Sequence, residues 1–159
     1  GTITRYQAEM SDGTVREIIH GRARPRRSRT TPAIHLTIGT APPLSLGPEG
    51  IVMHFLLKSM ESGLDGIVFG PEACKGHLDE RGAHAIANSV SFPASAHAAH
   101  LICDRLAHET STDLSHMLWT GVSLGAMKGI SFAALAPSHG RTMVYSHFVV
   151  PAAPKPRSS

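Results

Sequence analysis

The sequence predicts an α/β fold: a three-layer α/β/α sandwich with a mostly parallel sheet and an N-terminal antiparallel hairpin. Two short extended runs flank Ser11-Asp12-Gly13, a turn sequence typical of a hairpin. Helix-like and strand-like apolar patterns then alternate along the chain, as in folds that join parallel strands by helices. Glycines follow several strand-like runs, which indicates loops at the carboxyl ends of the strands, where sites lie in such folds.

Turn residues mark the element boundaries in the first half of the chain. The run before Gly39 is apolar enough to be a buried strand, and apolar residues then recur at helical spacing up to Gly63, a helix stop. Gly70-Pro71 is expected to end the strand that follows. The elements predicted here are strands over residues 2–8, 14–19, 33–38 and 65–69 and a helix over residues 48–62.

The second half continues the alternation. Residues 72–92 are mixed in character and receive no assignment. A helix with Leu101 and Leu106 on its apolar face precedes a short strand, and an Ala/Gly-rich helix that Pro137 stops precedes the last strand. These elements are helices over residues 94–108 and 125–136 and strands over residues 117–120 and 142–150.

Length and composition indicate one ordinary domain. Of the 159 residues, 42% are hydrophobic and 17% are charged, which suits a packed core and excludes a disordered chain. We assign residues 1–150 to the domain and the basic, proline-rich residues 151–159 to a flexible tail. No run reaches about 18 apolar residues and no secretory segment is recognisable, so we expect no membrane span and a cytoplasmic location.

Positive charge is concentrated in one loop. The formal net charge is +3, and no acid lies within the arginine cluster. No aromatic residue that could stack on a base is interleaved with it, and no nucleic-acid-binding module is recognisable. We interpret the cluster as an exposed basic loop and expect no nucleic-acid partner. Its members are Arg22, Arg24, Arg26, Arg27 and Arg29.

The helical histidines offer one possible metal site. His97 and His100 are spaced i, i+3 on a helix and Asp104 follows, so three ligands could share one face. The alanines around them favour a solvated polar face instead. Cys74 and Cys103 lack zinc-ligand spacing and are interpreted as free thiols. No metal and no cofactor is therefore expected.

A Gly-x-Ser-x-Gly motif joins the strand at residues 117–120 to the following helix. A serine in a sharp strand–helix turn is lifted above the sheet, and Gly121 and Gly125 leave room for that turn. The helix N-terminus also offers free N–H groups to a developing oxyanion. The motif predicts Ser123 as a nucleophile; the alternative is a structural serine in a tight turn.

The stretch over residues 118–126 resembles the nucleophile elbow of the α/β-hydrolase family, and the resemblance extends over most of residues 30–150. It implies an incomplete α/β-hydrolase-like fold and a serine hydrolase acting on a carboxylic ester or similar small acyl substrate, through an acyl-enzyme at Ser123. The backbone N–H of Leu124 and that of Thr40 or Ala41 would form the oxyanion hole.

The base of such an enzyme is open. The family order is serine, acid, histidine, but no Asp or Glu follows Asp113. His147, on the strand predicted beside the elbow, is one candidate. His77 is the other, because it follows the carboxyl end of a strand and has Asp79 nearby.

The missing acid keeps a second function class open. The chain would then be a non-catalytic hydrolase-like binding or assembly domain, or a fragment without the acid and histidine of the triad. A sheet edge left open near residues 142–150 would be apt to pair with another chain. We therefore expect a homo-oligomer or a partner chain that covers this edge.

Overall fold

One mixed sheet organises the computed structural model, which describes residues 1–24, 31–38, 50–110, 112–122 and 124–135. Its strands within these ranges are β1 (Thr2–Glu9), β2 (Thr14–Arg22), β3 (Thr31–Ile38), β4 (Asp65–Cys74) and β5 (Thr112–Val122). They follow the order β1-β2-β4-β3-β5. The β1–β2 hairpin and the β2–β4 pair are antiparallel, whereas β4, β3 and β5 run parallel.

Helices cover both faces of the sheet. They are α1 (Ile51–Glu61), α2 (Glu80–Ser89), α3 (Phe92–Thr110) and α4 (Leu124–Leu135). Because side chains alternate along a strand, Ile19 and Val68 pack with Leu56 of α1 on one face. Their neighbours Ile18 and Phe69 pack on the other face with the apolar side chains of α3 and α4. The predicted three-layer α/β class is confirmed.

The hairpin turn forms where the sequence predicts it. Gly13 has a φ of 83°, in the left-handed region that favours glycine. The side chain of Asp12 accepts a hydrogen bond from the backbone N–H of Thr14 at 2.9 Å. The turn therefore fixes the register of β1 against β2.

Strand β4 is longer than the sequence predicts. Gly70-Pro71 does not end it, because β4 continues to Cys74 and remains paired with β2 as far as Thr14. The pairing shifts register between Arg16 and Ile18 of β2, and Pro71 lies in this irregular part of β4. Proline is tolerated at such a bulge because it need not donate a ladder hydrogen bond there.

Helix α2 lies within the stretch that the sequence leaves unassigned, and α3 and β5 are longer than predicted. The strand predicted over residues 142–150, the tail over residues 151–159 and part of the arginine cluster lie outside the described residues. No helix within the described ranges combines the length and apolar character needed to cross a bilayer.

A buried carboxylate ties strands together at the amino end of the parallel strands. Asp65 Oδ1 accepts the backbone N–H of Ala23 at 2.9 Å, and Oδ2 accepts the hydroxyl of Thr112 at 2.8 Å. The Nε2 atom of His20 lies 3.4 Å from the same Oδ2. This cluster therefore lies at the opposite end of the parallel strands from the β5–α4 connection.

Candidate active site

The connection between β5 and α4 is a single residue. β5 ends at Val122 and α4 begins at Leu124. The position between them is Ser123, which lies outside the described residues. A strand that passes into a helix through one residue must turn sharply, as a nucleophile elbow does.

Backbone contact holds this connection closed. A Cβ atom on Gly121 would lie 2.5 Å from the backbone nitrogen of Ala126 and closer still to the carbonyl oxygen of Gly125. Side-chain carbons do not approach backbone atoms that closely, so only glycine fits at Gly121. The first turn of α4 is thereby packed directly against the last residues of β5.

Leu124 is the predicted oxyanion donor that the structure describes. It is half-buried and is the first residue of α4. Its N–H is one of the four at a helix start that have no intrahelical acceptor. The other predicted donor, Thr40, lies outside the described residues, two positions beyond Ile38, which pairs with Val122 of β5.

The two predicted bases are placed differently. His147 lies outside the described residues, whereas His77 is exposed in the turn after β4, where its N–H donates to the carbonyl of Cys74 at 2.9 Å. β3 separates β4 from β5, so the two strands are about 10 Å apart. The described residues therefore place Leu124 at the elbow and His77 beyond the end of a strand two positions away.

Asp79, the acid near His77, caps a helix. It is the N-cap of α2, and its side chain accepts the N–H of Gly82 at 2.7 Å. We expect Asp79→Ala to lower the free energy of unfolding by about 1 kcal/mol, the usual cost of a lost cap, and Asp79→Ser to restore most of it. Urea denaturation of the three proteins measures this. A loss in the serine variant as large as in the alanine variant would contradict the capping role.

A buried charged network beside the elbow was missed by the sequence analysis. Glu72 of β4 forms ion pairs with Arg16 of β2 and Lys128 of α4, and it accepts a hydrogen bond from Ser95 of α3. Arg16 also donates to the Ser95 hydroxyl at 2.8 Å. All four residues are buried. The available signal was Lys128, the only charged residue in the α4 sequence.

Burial sets the protonation of this network. It lowers the pKa of Lys128 to about 7, with a smaller contribution from the charge of Arg16, and lowers the pKa of Arg16 itself to about 9. Burial also raises the pKa of the neighbouring Cys103 thiol, which stays neutral. Burial is the larger cause for Lys128, and the charge of Arg16 acts in the same direction because two cations share one carboxylate.

Aromatic rings line the network on its inner side. The guanidinium carbon of Arg16 lies 5.4 Å from the ring centroid of Phe69 and 5.8 Å from that of Phe132. The Nε and Nη1 atoms of Arg16 have no hydrogen-bond partner among the described residues. The cation is thus held by one carboxylate, one hydroxyl and two ring faces.

The two histidines of the possible metal site differ in burial. His97 is exposed, whereas His100 is buried, and its Nε2–H donates to the carbonyl of Phe132 at 2.6 Å. The His100 ring also contacts the Trp119 ring edge-on, with 5.2 Å between the ring centroids. Within the described ranges, no three His, Cys, Asp or Glu side chains are grouped to hold a metal ion.

Comparison with known proteins identifies the fold. No family model matches the sequence, and no curated protein matches it. The chain is similar to the solved structure of DcsB, described as a complex with its substrate analogue, with a TM-score of 0.65 and 16% identity over 91% of this chain and 45% of DcsB. The α/β hydrolase GrgF from Penicillium sp. sh18 gives a TM-score of 0.61 and 13% identity over 91% of this chain and 45% of GrgF.

An esterase gives the same result. A cold-adapted esterase from an Arctic intertidal metagenomic library matches with a TM-score of 0.58 and 12% identity over 90% of this chain and 57% of the esterase. The chain thus spans about half the length of these solved structures. The predicted resemblance is confirmed at the level of the fold: over the part it shares with these proteins, this chain has the α/β-hydrolase fold.

Proposed function

We propose that this chain carries the nucleophile-bearing part of a serine hydrolase that cleaves a carboxylic ester or a similar acyl substrate. The observation that carries the proposal is the one-residue connection between β5 and α4, closed by the backbone contact of Gly121 with Gly125. A serine at that position, with a helix N-terminus behind it, has the surroundings of an activated nucleophile.

The reaction begins at the Ser123 hydroxyl, which attacks the acyl carbonyl carbon. The negative charge that develops on the carbonyl oxygen is stabilised by the N–H of Leu124 and by that of Thr40 or Ala41. The alcohol leaves with a proton, and water then hydrolyses the acyl-enzyme. A serine hydroxyl needs a base at neutral pH, and His147 and His77 are the proposed candidates.

Labelling with a fluorophosphonate probe, followed by mass mapping, tests the proposal. We expect modification at Ser123 in the wild type and none in Ser123→Ala. A labelling rate at least about 100-fold lower in either His147→Ala or His77→Ala would identify the base. A folded wild-type sample that stays unlabelled would contradict the proposal.

The alternative function is a non-catalytic, hydrolase-like binding or assembly domain. It rests on one feature of the given sequence, in which no Asp or Glu follows Asp113. Light scattering on the same sample gives the oligomeric state. A stable homo-oligomer that leaves Ser123 unlabelled would support the assembly function over catalysis.

A further inference from the structure

We propose that Lys128 is a positioning residue: its ion pair with Glu72 holds the first two turns of α4, and with them the serine at position 123, against the sheet. The inference rests on the proposed function, because positioning matters only if Ser123 reacts. Lys128 touches no reacting atom in this proposal. It acts through the helix that begins one residue after the serine.

Apart from the backbone contact with Gly121, the buried face of the first two turns of α4 carries mostly small residues. Gly125, Ala126 and Gly129 are buried there and carry one methyl group between them. Such small side chains allow close approach but do not interdigitate, so they do not fix the helix against sliding or rotation. Lys128 is the long buried side chain of these two turns, at 1% exposed, and the next large buried side chain of α4 is Phe132, one turn later.

The ion pair lies level with the elbow. Thr37 of β3 pairs with Gly121 on one side and with Phe69 on the other. Gly70 and Val122 are the next residues on β4 and β5, and β5 ends at Val122, so Glu72 lies three residues beyond Phe69, close to the level at which β5 ends. Lys128 lies one helical turn after Leu124, so the contact spans from the carboxyl end of β4 to the start of α4.

Because of the charge balance of the network, we expect a change at Lys128 to alter the position of α4 without lowering stability. Glu72 faces two cations, Arg16 and Lys128, and the nearby Cys103 thiol is neutral. Lys128→Met therefore removes the ion pair between Lys128 and Glu72, called the tether below, and leaves Arg16 and Glu72 as a balanced pair. Removing one partner of a buried ion pair is costly when it leaves an uncompensated charge, but here the residue removed is the surplus cation, whose desolvation is no longer required.

The experiment compares wild type, Lys128→Met and Lys128→Arg for melting temperature, fluorophosphonate labelling rate and amide hydrogen exchange over residues 124–129. We expect Lys128→Met to melt at or above the wild-type temperature, to label at least about tenfold more slowly, and to exchange about tenfold faster over these residues. Lys128→Arg keeps the charge and is expected to label within about threefold of wild type.

Leu56→Ala is the matched control. Leu56 is fully buried against the opposite face of the sheet, in α1. Its truncation is expected to lower the melting temperature and to leave the labelling rate of Ser123 unchanged. The two variants thus give opposite patterns, which a purely structural role of Lys128 would not produce.

The pH dependence supplies another readout. Between about pH 7 and the ordinary lysine pKa, the folded protein binds one proton fewer at Lys128 than the unfolded chain. The stability of wild type relative to Lys128→Met should therefore rise with pH over this window. A difference that stays flat across it would contradict the burial of a surplus lysine charge.

Each outcome decides the inference. Wild-type labelling with equal rates in Lys128→Met would overturn it, as would unchanged exchange over residues 124–129. If wild type is not labelled at all, the proposed function fails. Hydrogen exchange then tests only whether the tether holds α4. Faster exchange in Lys128→Met supports this, and equal exchange contradicts it.

Discussion

Gly121→Ala is expected to lower the free energy of unfolding by about 3 kcal/mol and to abolish labelling of Ser123. The added methyl group would lie 2.5 Å from the backbone nitrogen of Ala126. Backbone atoms cannot rotate away as a flexible side chain can, so the first turn of α4 must move off β5. Chemical denaturation and the fluorophosphonate assay measure the two effects.

Gly21→Ala is the control for this variant. Gly21 is also a buried strand glycine, but a Cβ there would meet the side chain of Leu56 at 3.1 Å and that of Met60 at 3.3 Å. These side chains can shift, so we expect a loss of about 1 kcal/mol and no effect on labelling. Equal losses in Gly21→Ala and Gly121→Ala would show that strand–helix contact is not what makes Gly121 special.

Glu72→Gln is expected to destabilise the protein by about 3–5 kcal/mol, the usual cost of breaking a buried ion pair from one side. The change leaves the buried cations Arg16 and Lys128 without a carboxylate. It should also lower the pKa of Lys128 further, because the remaining charge of Arg16 repels a proton there. Urea denaturation at neutral pH measures the loss.

An exposed ion pair provides the comparison. Glu61 lies 3.2 Å from Lys58 on α1, and their side chains are 66% and 77% exposed. Because solvent screens such a pair, Glu61→Gln is expected to change stability by less than about 0.5 kcal/mol. A Glu72→Gln variant as stable as Glu61→Gln would mean that the buried cations do not depend on Glu72.

Local signals predicted much of the scaffold. The hairpin depends on Ser11-Asp12-Gly13, whose preferences act within four residues, and it forms as expected. The helix ending before Gly63 and the alternation of strands and helices likewise follow from short-range patterns. These features are predictable because the preferences that produce them act between residues close in sequence.

Long-range pairing decided the strand ends. Gly70-Pro71 is locally typical of a strand end, yet β4 continues to Cys74 because it pairs with β2 along this stretch. The order β1-β2-β4-β3-β5 also depends on pairing between strands far apart in sequence. No local pattern specifies such partners.

The sequence by itself determined the fold class and the position of the candidate nucleophile, because apolar periodicity and the glycines around Ser123 act locally. Only the tertiary structure decided what holds that position in place. Arg16, Glu72, Ser95 and Lys128 come from four elements, and in the sequence each is an ordinary polar residue until folding buries them together. The energy of such a network comes from shared desolvation, which exists only once all four elements have packed.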